Sequence, residues 1–159
     1  MSEHLLFGLT LLSALGSGLI AGVFFAFSAF VMKALARLPP AQGIAAMQSI
    51  NVAVINPLFL GAFLGTAVAC AFLGIWSLFD WPGGGSLFRL TGCLFYLVGT
   101  MAVTIAFHLP RNDALAALDP ENPEAAGHWT RYQREWTAWN HVRTMAALLA
   151  AALLTLALW

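Results

Sequence analysis

Residues 5–32 read LLFGLTLLSALGSGLIAGVFFAFSAFVM, an unbroken run without one charged side chain. The hydrocarbon core of a bilayer is about 30 Å thick, and a helix crosses it with about 20 apolar residues. At about 1.5 Å per residue this run is longer than one crossing, so its helix must tilt or project beyond the membrane. The stretch decides the class: the chain reads as an integral membrane protein built of helices.

Three further segments follow the same pattern. One lies between Pro57 and Phe79 and one between Leu90 and Leu109. The last runs from Thr144 to Trp159 and is short, so the residues before it must enter the interface. The expected spans are about 5–32, 57–79, 88–109 and 141–159 of a single domain covering residues 1–159. Breakers separate them. Pro39-Pro40 ends the first, Asn56-Pro57 opens the second with proline in the tolerated first turn, and Asp80-Trp81-Pro82-Gly83-Gly84-Gly85 makes a tight turn before the third. Between Pro40 and Asn56, Ile44, Met47, Ile50 and Val54 alternate with Gln42, Gln48 and Asn51, which predicts a short helix at the membrane surface. The fold class expected is all-α: an integral membrane four-helix bundle with a short interfacial helix between helices 1 and 2. Gly18 with Gly22, and Gly61 with Gly65, have the GxxxG spacing that lets helices approach closely. Packing inside one chain is the expected use, and a homo-oligomer stays open.

Composition agrees. Sixty per cent of the 159 residues are hydrophobic, 9% are charged and the formal net charge is zero. A soluble domain carries about 25% charged residues, and the mean hydropathy here is +0.81. Nucleic acid is excluded as a partner, because phosphate binding needs a dense Lys/Arg surface. Cys70 and Cys93 form no CxxC and read as small packing residues on neighbouring helices. Met1-Ser2-Glu3-His4 lacks the basic start of a secretory signal, and the apolar run after it is too long for one. Lys33, Arg37, Arg111, Arg131, Arg134 and Arg143 fall in the two longer loops or beside them, against only Arg89 on the other side. The positive-inside rule then puts both termini outside, with a bacterial inner membrane as the expected location.

Depth along the helices brings polar residues together. His108 lies 19 residues beyond Arg89, and Asn140 and His141 lie a similar distance from Trp159. With Asn56 at the start of the second span, and Ser28 beside Phe24, Phe25, Phe27 and Phe30 on the first, they meet near the cytoplasmic interface. Trp129, Tyr132, Trp136, Asn140 and Arg143 are spaced by threes and fours and form one helical stripe, flanked by Trp139 and His141. Aromatics and arginines at a membrane edge commonly form belts and headgroup contacts. Two histidines, several asparagines, an aspartate and an arginine converging among apolar helices point instead to a functional pocket, because polar groups at membrane depth are costly.

The chain resembles the anthrone oxygenase-like family of small four-helix membrane proteins. The matching stretches run from Ser17 to Ser28, from Met47 to Asn51, over Asn56-Pro57, from Phe107 to Leu115, and from Trp129-Thr130-Arg131-Tyr132 through Trp136 to Thr144. Trp139-Asn140-His141-Val142-Arg143 is the most specific of them. The sequence departs from the family pattern at His108, where Asn is frequent, and at Arg111, where a small apolar residue is frequent. The resemblance implies an oxygenase that oxidises an anthrone-like polycyclic phenol with dioxygen to a quinone. That chemistry needs a base, a donor for a developing oxyanion and a flat apolar slot, and it requires no cofactor. The expected catalytic residues are His108, His141, Asn140, Arg143 and Asn112. Phe27, Ser28, Asn56, Tyr132 and Trp136 are the expected substrate-binding residues. A non-haem metal held by His108, His141 and Asp113 stays open as a second mechanism. The partners implied are the lipid bilayer and a small lipophilic substrate. The alternative is a non-catalytic membrane module binding a lipophilic ligand or a partner subunit. A transporter is disfavoured, since no inverted repeat is visible.

Overall fold

The computed structural model describes residues 2–81 and 85–159, and among them it contains helices and no strand. Five helices follow one another: α1 Glu3–Leu35, α2 Pro40–Ala53, α3 Pro57–Phe79, α4 Ser86–Ala116 and α5 Ala125–Leu156. Local chemistry explains their ends. The Ser2 hydroxyl accepts from the Leu5 amide at 3.4 Å, and Glu3 sits in the first turn, where the helix dipole favours an anion. Asn56 Oδ1 accepts from the Phe59 amide at 3.0 Å, and Pro57 occupies a first-turn position that has no amide hydrogen to lose. Residues 82–84 of the expected turn lie outside the described residues. Just after them Gly85 takes φ +74°, and a Cβ there would stand 2.6 Å from the Ala157 carbonyl oxygen. Only glycine fits that position on both counts.

Helices α1, α3 and α4 are each long and apolar enough to cross a membrane. Helix α4 runs past the expected limit at Leu109, through Pro110, to Ala116. A π-helical turn over Thr104–His108 ends two residues before Pro110. The wider turn absorbs the hydrogen bond that proline cannot make and relieves its ring against the preceding turn. Two further π-helical segments lie in α4 at Phe95–Ala102 and in α1 at Phe27–Val31.

Neighbouring long helices run antiparallel. Asn140 on α5 meets Phe24 and Ser28 on α1, and further along Ala151 comes 4.0 Å from where a Gly18 Cβ would stand. Thr100 on α4 meets Arg143, while Gly92 lies against Ala150 and Leu154. The start of α1 and the end of α5 therefore share one end. Two buried clusters fill the interior. Ile20, Phe24, Phe63, Leu73, Tyr96 and Leu154 belong to one, and Met32, Ile44, Met47, Leu115, Trp129 and Trp136 to the other. Cys70 and Cys93 are buried in the first as free thiols.

Two expectations are corrected. Gly22, Gly61 and Gly65 have nothing within 4 Å of an added Cβ, so the GxxxG pairs do not make the close contacts. Those fall on Gly16 against Thr66, Gly43 against Trp129, Gly92 against Leu154 and Gly99 against Ala146. Spacing identifies a small face on a helix, but the neighbouring helix decides whether that face is used. Gln48 also does not belong to a solvated face of α2: its amide donates to the carbonyls of Leu115 at 2.8 Å and Leu118 at 3.0 Å, closing the end of α4.

Candidate functional site

A cavity of about 160 Å³ lies where α1, α2, α3, α4 and α5 meet, between the two buried clusters. Its walls are apolar, from Phe27, Met47, Phe59 and Phe63 among others, and its polar groups are Asn51, Thr104, His108, Asn112 and Arg143.

His108 is 1% exposed; the Val103 and Trp136 backbones stand near its ring, but neither Nδ1 nor Nε2 makes a hydrogen bond of good geometry. Its ring meets Trp136 edge-on, centroids 5.1 Å apart at 83°. Burying an unsatisfied polar group costs about 1–3 kcal/mol, so a histidine held this way beside a cavity marks a place where a ligand can supply the missing bond.

Arg143 is 7% exposed. Its Nε donates to Asn140 Oδ1 at 2.8 Å and its Nη1 to Thr104 Oγ1 at 3.3 Å. Its Cζ lies 3.8 Å from the centroid of the Phe24 ring and 5.1 Å from that of Trp136. Among the described residues no carboxylate pairs with it. A buried cation without a counterion is costly, and aromatic faces offset only part of that cost. The cavity wall therefore carries an uncompensated positive charge.

Asn140 is fully buried and fully used. Its Nδ2 donates to the Phe24 carbonyl at 2.7 Å and to Ser28 Oγ at 2.6 Å, while its Oδ1 holds Arg143. It joins α1 to α5 and aims the guanidinium, but it has no donor left to offer a ligand. Asn112 Oδ1 accepts from Tyr132 Oη at 2.9 Å and from Trp136 Nε1 at 3.1 Å, so its amide nitrogen is the group it can present to the cavity.

Of the ten residues proposed from sequence, His108, Arg143, Asn112, Phe27 and Trp136 line the cavity. Asn140 and Ser28 stand behind Arg143. Tyr132 stands behind Trp136, rings 6.4 Å apart. Asn56 caps α3 and does not reach the cavity. His141 is exposed on the opposite face of α5, because one step along a helix turns the side chain by about 100°. Asp113 is exposed as well. The expected set His108, His141 and Asp113 is therefore not assembled, and among the described residues no three His, Cys, Asp or Glu side chains come together. Sequence reading missed Thr104 and Asn51. Thr104 was legible, since it stands four residues before His108 on the same face of α4.

A separate groove lies beyond Tyr132, lined by Arg111, His128, Arg131 and Glu135 among others. Glu135 accepts from Arg131 Nε at 2.8 Å and Arg111 Nη2 at 3.0 Å. Its hydrogen bond with Arg131, with that from Arg111, holds the Glu135 carboxyl below the usual glutamate range.

The sequence model of the anthrone oxygenase family matches residues 56–153, more than half of the chain. The match takes in α3, α4 and most of α5, and leaves α1 and α2 outside. No curated protein and no solved structure matches the chain.

Proposed function

Because this chain belongs to the anthrone oxygenase family, we propose that it is a membrane-embedded oxidoreductase that oxidises an anthrone-like phenol, or a related lipophilic substrate, with dioxygen in this cavity. The observation that carries the reading is that His108, a base without a hydrogen bond of good geometry, and Arg143, a cation without a carboxylate partner among the described residues, line the same cavity. In an anthrone the methylene opposite the carbonyl is acidic, because its deprotonation yields an aromatic phenolate. His108 takes that proton. Arg143 stabilises the oxygen anion through charge and hydrogen bonding. Asn112 supplies a second donor, and Phe27 and Trp136 form the flat walls. The electron-rich anion passes one electron to dioxygen, and the radical pair combines at the former methylene carbon. The peroxide takes back a proton, and loss of water leaves the quinone. One dioxygen is consumed, with one oxygen atom retained and one released as water.

Four crossings complete this reading, with α5 entering the membrane from about residue 141 onwards. Lys33, Arg37, Arg111, Arg131 and Arg134 then lie on the cytoplasmic side with the cavity mouth, and Arg89 alone on the other, which accords with the positive-inside rule. Reporter fusions at the two termini test this: activity of a periplasm-dependent reporter at both supports it, and cytoplasmic signal at either overturns it.

Oxygen uptake by the full-length protein in mild detergent tests the activity. Anthrone is expected to drive uptake of one dioxygen per molecule, with a drop of about 100-fold in His108→Ala. Anthrone bound without oxygen uptake would make the chain a non-catalytic lipophile-binding module instead.

A further inference from the structure

The cavity encloses about 160 Å³. An apolar protein cavity of about 150 Å³ takes up benzene. The enclosed space therefore matches one aromatic ring with its substituent oxygen, and a larger ligand must leave part of itself outside. The walls say where. On one side the cavity is shut, because Asn112 Oδ1 ties Tyr132 Oη and Trp136 Nε1 together and Tyr132 is only 7% exposed. On another side Ile55 lines the cavity while 70% exposed, and Leu109 lines it while 47% exposed. They are the exposed residues among those that line the cavity, and so mark where it opens. Val52 and Leu58, 73% and 87% exposed, flank Ile55 in sequence and continue the apolar surface onto α3. Since α3 and α4 are long and apolar enough to cross a membrane, this surface adjoins the segment that lipid covers. Leucine, isoleucine and valine exposed together at such a rim are favourable against acyl chains and unfavourable against water.

Resting on the cavity as the ligand site, we infer that it takes the phenolic ring of a membrane-dissolved amphiphile whose apolar remainder stays outside, passing between Ile55 and Leu109 into the bilayer edge. The ring lies against Phe27 and Trp136, its hydroxyl faces Arg143, and the opposite ring position is left to His108. The remainder, a chain or further rings, is read only for being apolar. The substrate thus reaches the site sideways from the membrane, which is how a poorly soluble phenol is available at useful concentration.

The test is binding, read by quenching of intrinsic tryptophan fluorescence in detergent, with 4-methylphenol, 4-octylphenol and octylbenzene as probes. 4-Octylphenol is expected to bind at least ten times more tightly than octylbenzene, which lacks the hydroxyl. Ile55→Trp narrows the rim. It is expected to weaken 4-octylphenol at least tenfold and to change 4-methylphenol less than twofold. Val98→Trp, an exposed position on α4 that does not line the cavity, is expected to change neither, and far-ultraviolet circular dichroism checks that both variants are folded. Equal affinity for octylphenol and octylbenzene, or an Ile55→Trp effect that is the same on both phenols, overturns the inference. Rim-selective binding without oxygen uptake from any phenol would leave the inference standing and remove the oxygenase reading. Anthrone turnover with no rim effect would do the reverse.

Discussion

Asn140 Oδ1 accepts a hydrogen bond from Arg143 Nε at 2.8 Å, one turn further along α5, while the other end of the same amide is anchored on Phe24 and Ser28 of α1. The guanidinium on the cavity wall is thus positioned by the contact between the first helix and the last. Asn140→Ala removes that anchor and leaves a buried carbonyl and hydroxyl without their donor. It is expected to lower stability by about 1–3 kcal/mol, and to reduce turnover through a lowered kcat, because Arg143 acts on the anion that forms in the site. Thermal unfolding in detergent and steady-state oxygen uptake check the two parts separately.

Arg143 has no carboxylate partner among the described residues, so the prediction for it is different in kind. Arg143→Met removes the charge from a site that already lacks an internal counterion. Stability is expected to stay close to the parent, because the relief of a buried cation is offset by the Asn140 Oδ1 left without its donor. Turnover is expected to fall by about 100-fold, the size of the loss when one oxyanion donor is removed. Arg143→Lys keeps the charge but loses the planar fork that bonds Asn140 and Thr104 together, and its rate is expected between the two. A Met variant with the parent rate would show that the guanidinium does not face the reacting oxygen.

The glycines divide into two groups that substitution separates. Gly92 is enclosed: an added Cβ would lie 3.0 Å from Leu154 Cγ and 3.3 Å from the Ala150 carbonyl oxygen. Gly92→Val is expected to destabilise by about 1–3 kcal/mol through overpacking. Gly61 and Gly65 face open space in the described structure. Alanine at either is expected to be neutral or to stabilise by up to about 1 kcal/mol, since it lowers the backbone entropy lost in a helix. Melting temperatures of the three variants decide this. A large loss at Gly61 or Gly65 would mean that a second chain covers them.

Glu135 binds Arg131 and Arg111 on the rim of the outer groove, away from the cavity. Its carboxyl titrates below the ordinary glutamate value of 4.5 when folded, with the bond from Arg131 as the main cause. A folded pKa below the unfolded one means that the stabilisation is present above pH 4.5 and disappears as pH falls through the folded value. Glu135→Gln is therefore expected to melt slightly below the parent at neutral pH, with the gap closing under acid conditions and shrinking with added salt. Oxygen uptake is expected to stay within twofold of the parent.

Much of this molecule is legible from residues close together in the chain. The long uncharged run from Leu5 to Met32 and the runs after it require helices in an apolar setting. The stripe Trp129, Tyr132, Trp136, Asn140, Arg143 was readable as one helical face, and all five side chains are buried. These follow from periodicity, which is local and needs no partner. Distance along a helix also placed His108 at the level of Asn140. The same reasoning admitted His141, because depth sets height along an axis and not the direction around it.

Only the tertiary structure decided the rest. It turned His108 inward with neither nitrogen in a hydrogen bond of good geometry and left His141 outside. It consumed the Asn140 amide in joining α1 to α5, placed the close helix contacts on Gly16, Gly92 and Gly99, and kept every carboxylate among the described residues away from Arg143. Each depends on what the neighbouring helix presents at the point of contact. That is set by how far apart residues in the chain pack, so no window of sequence contains it.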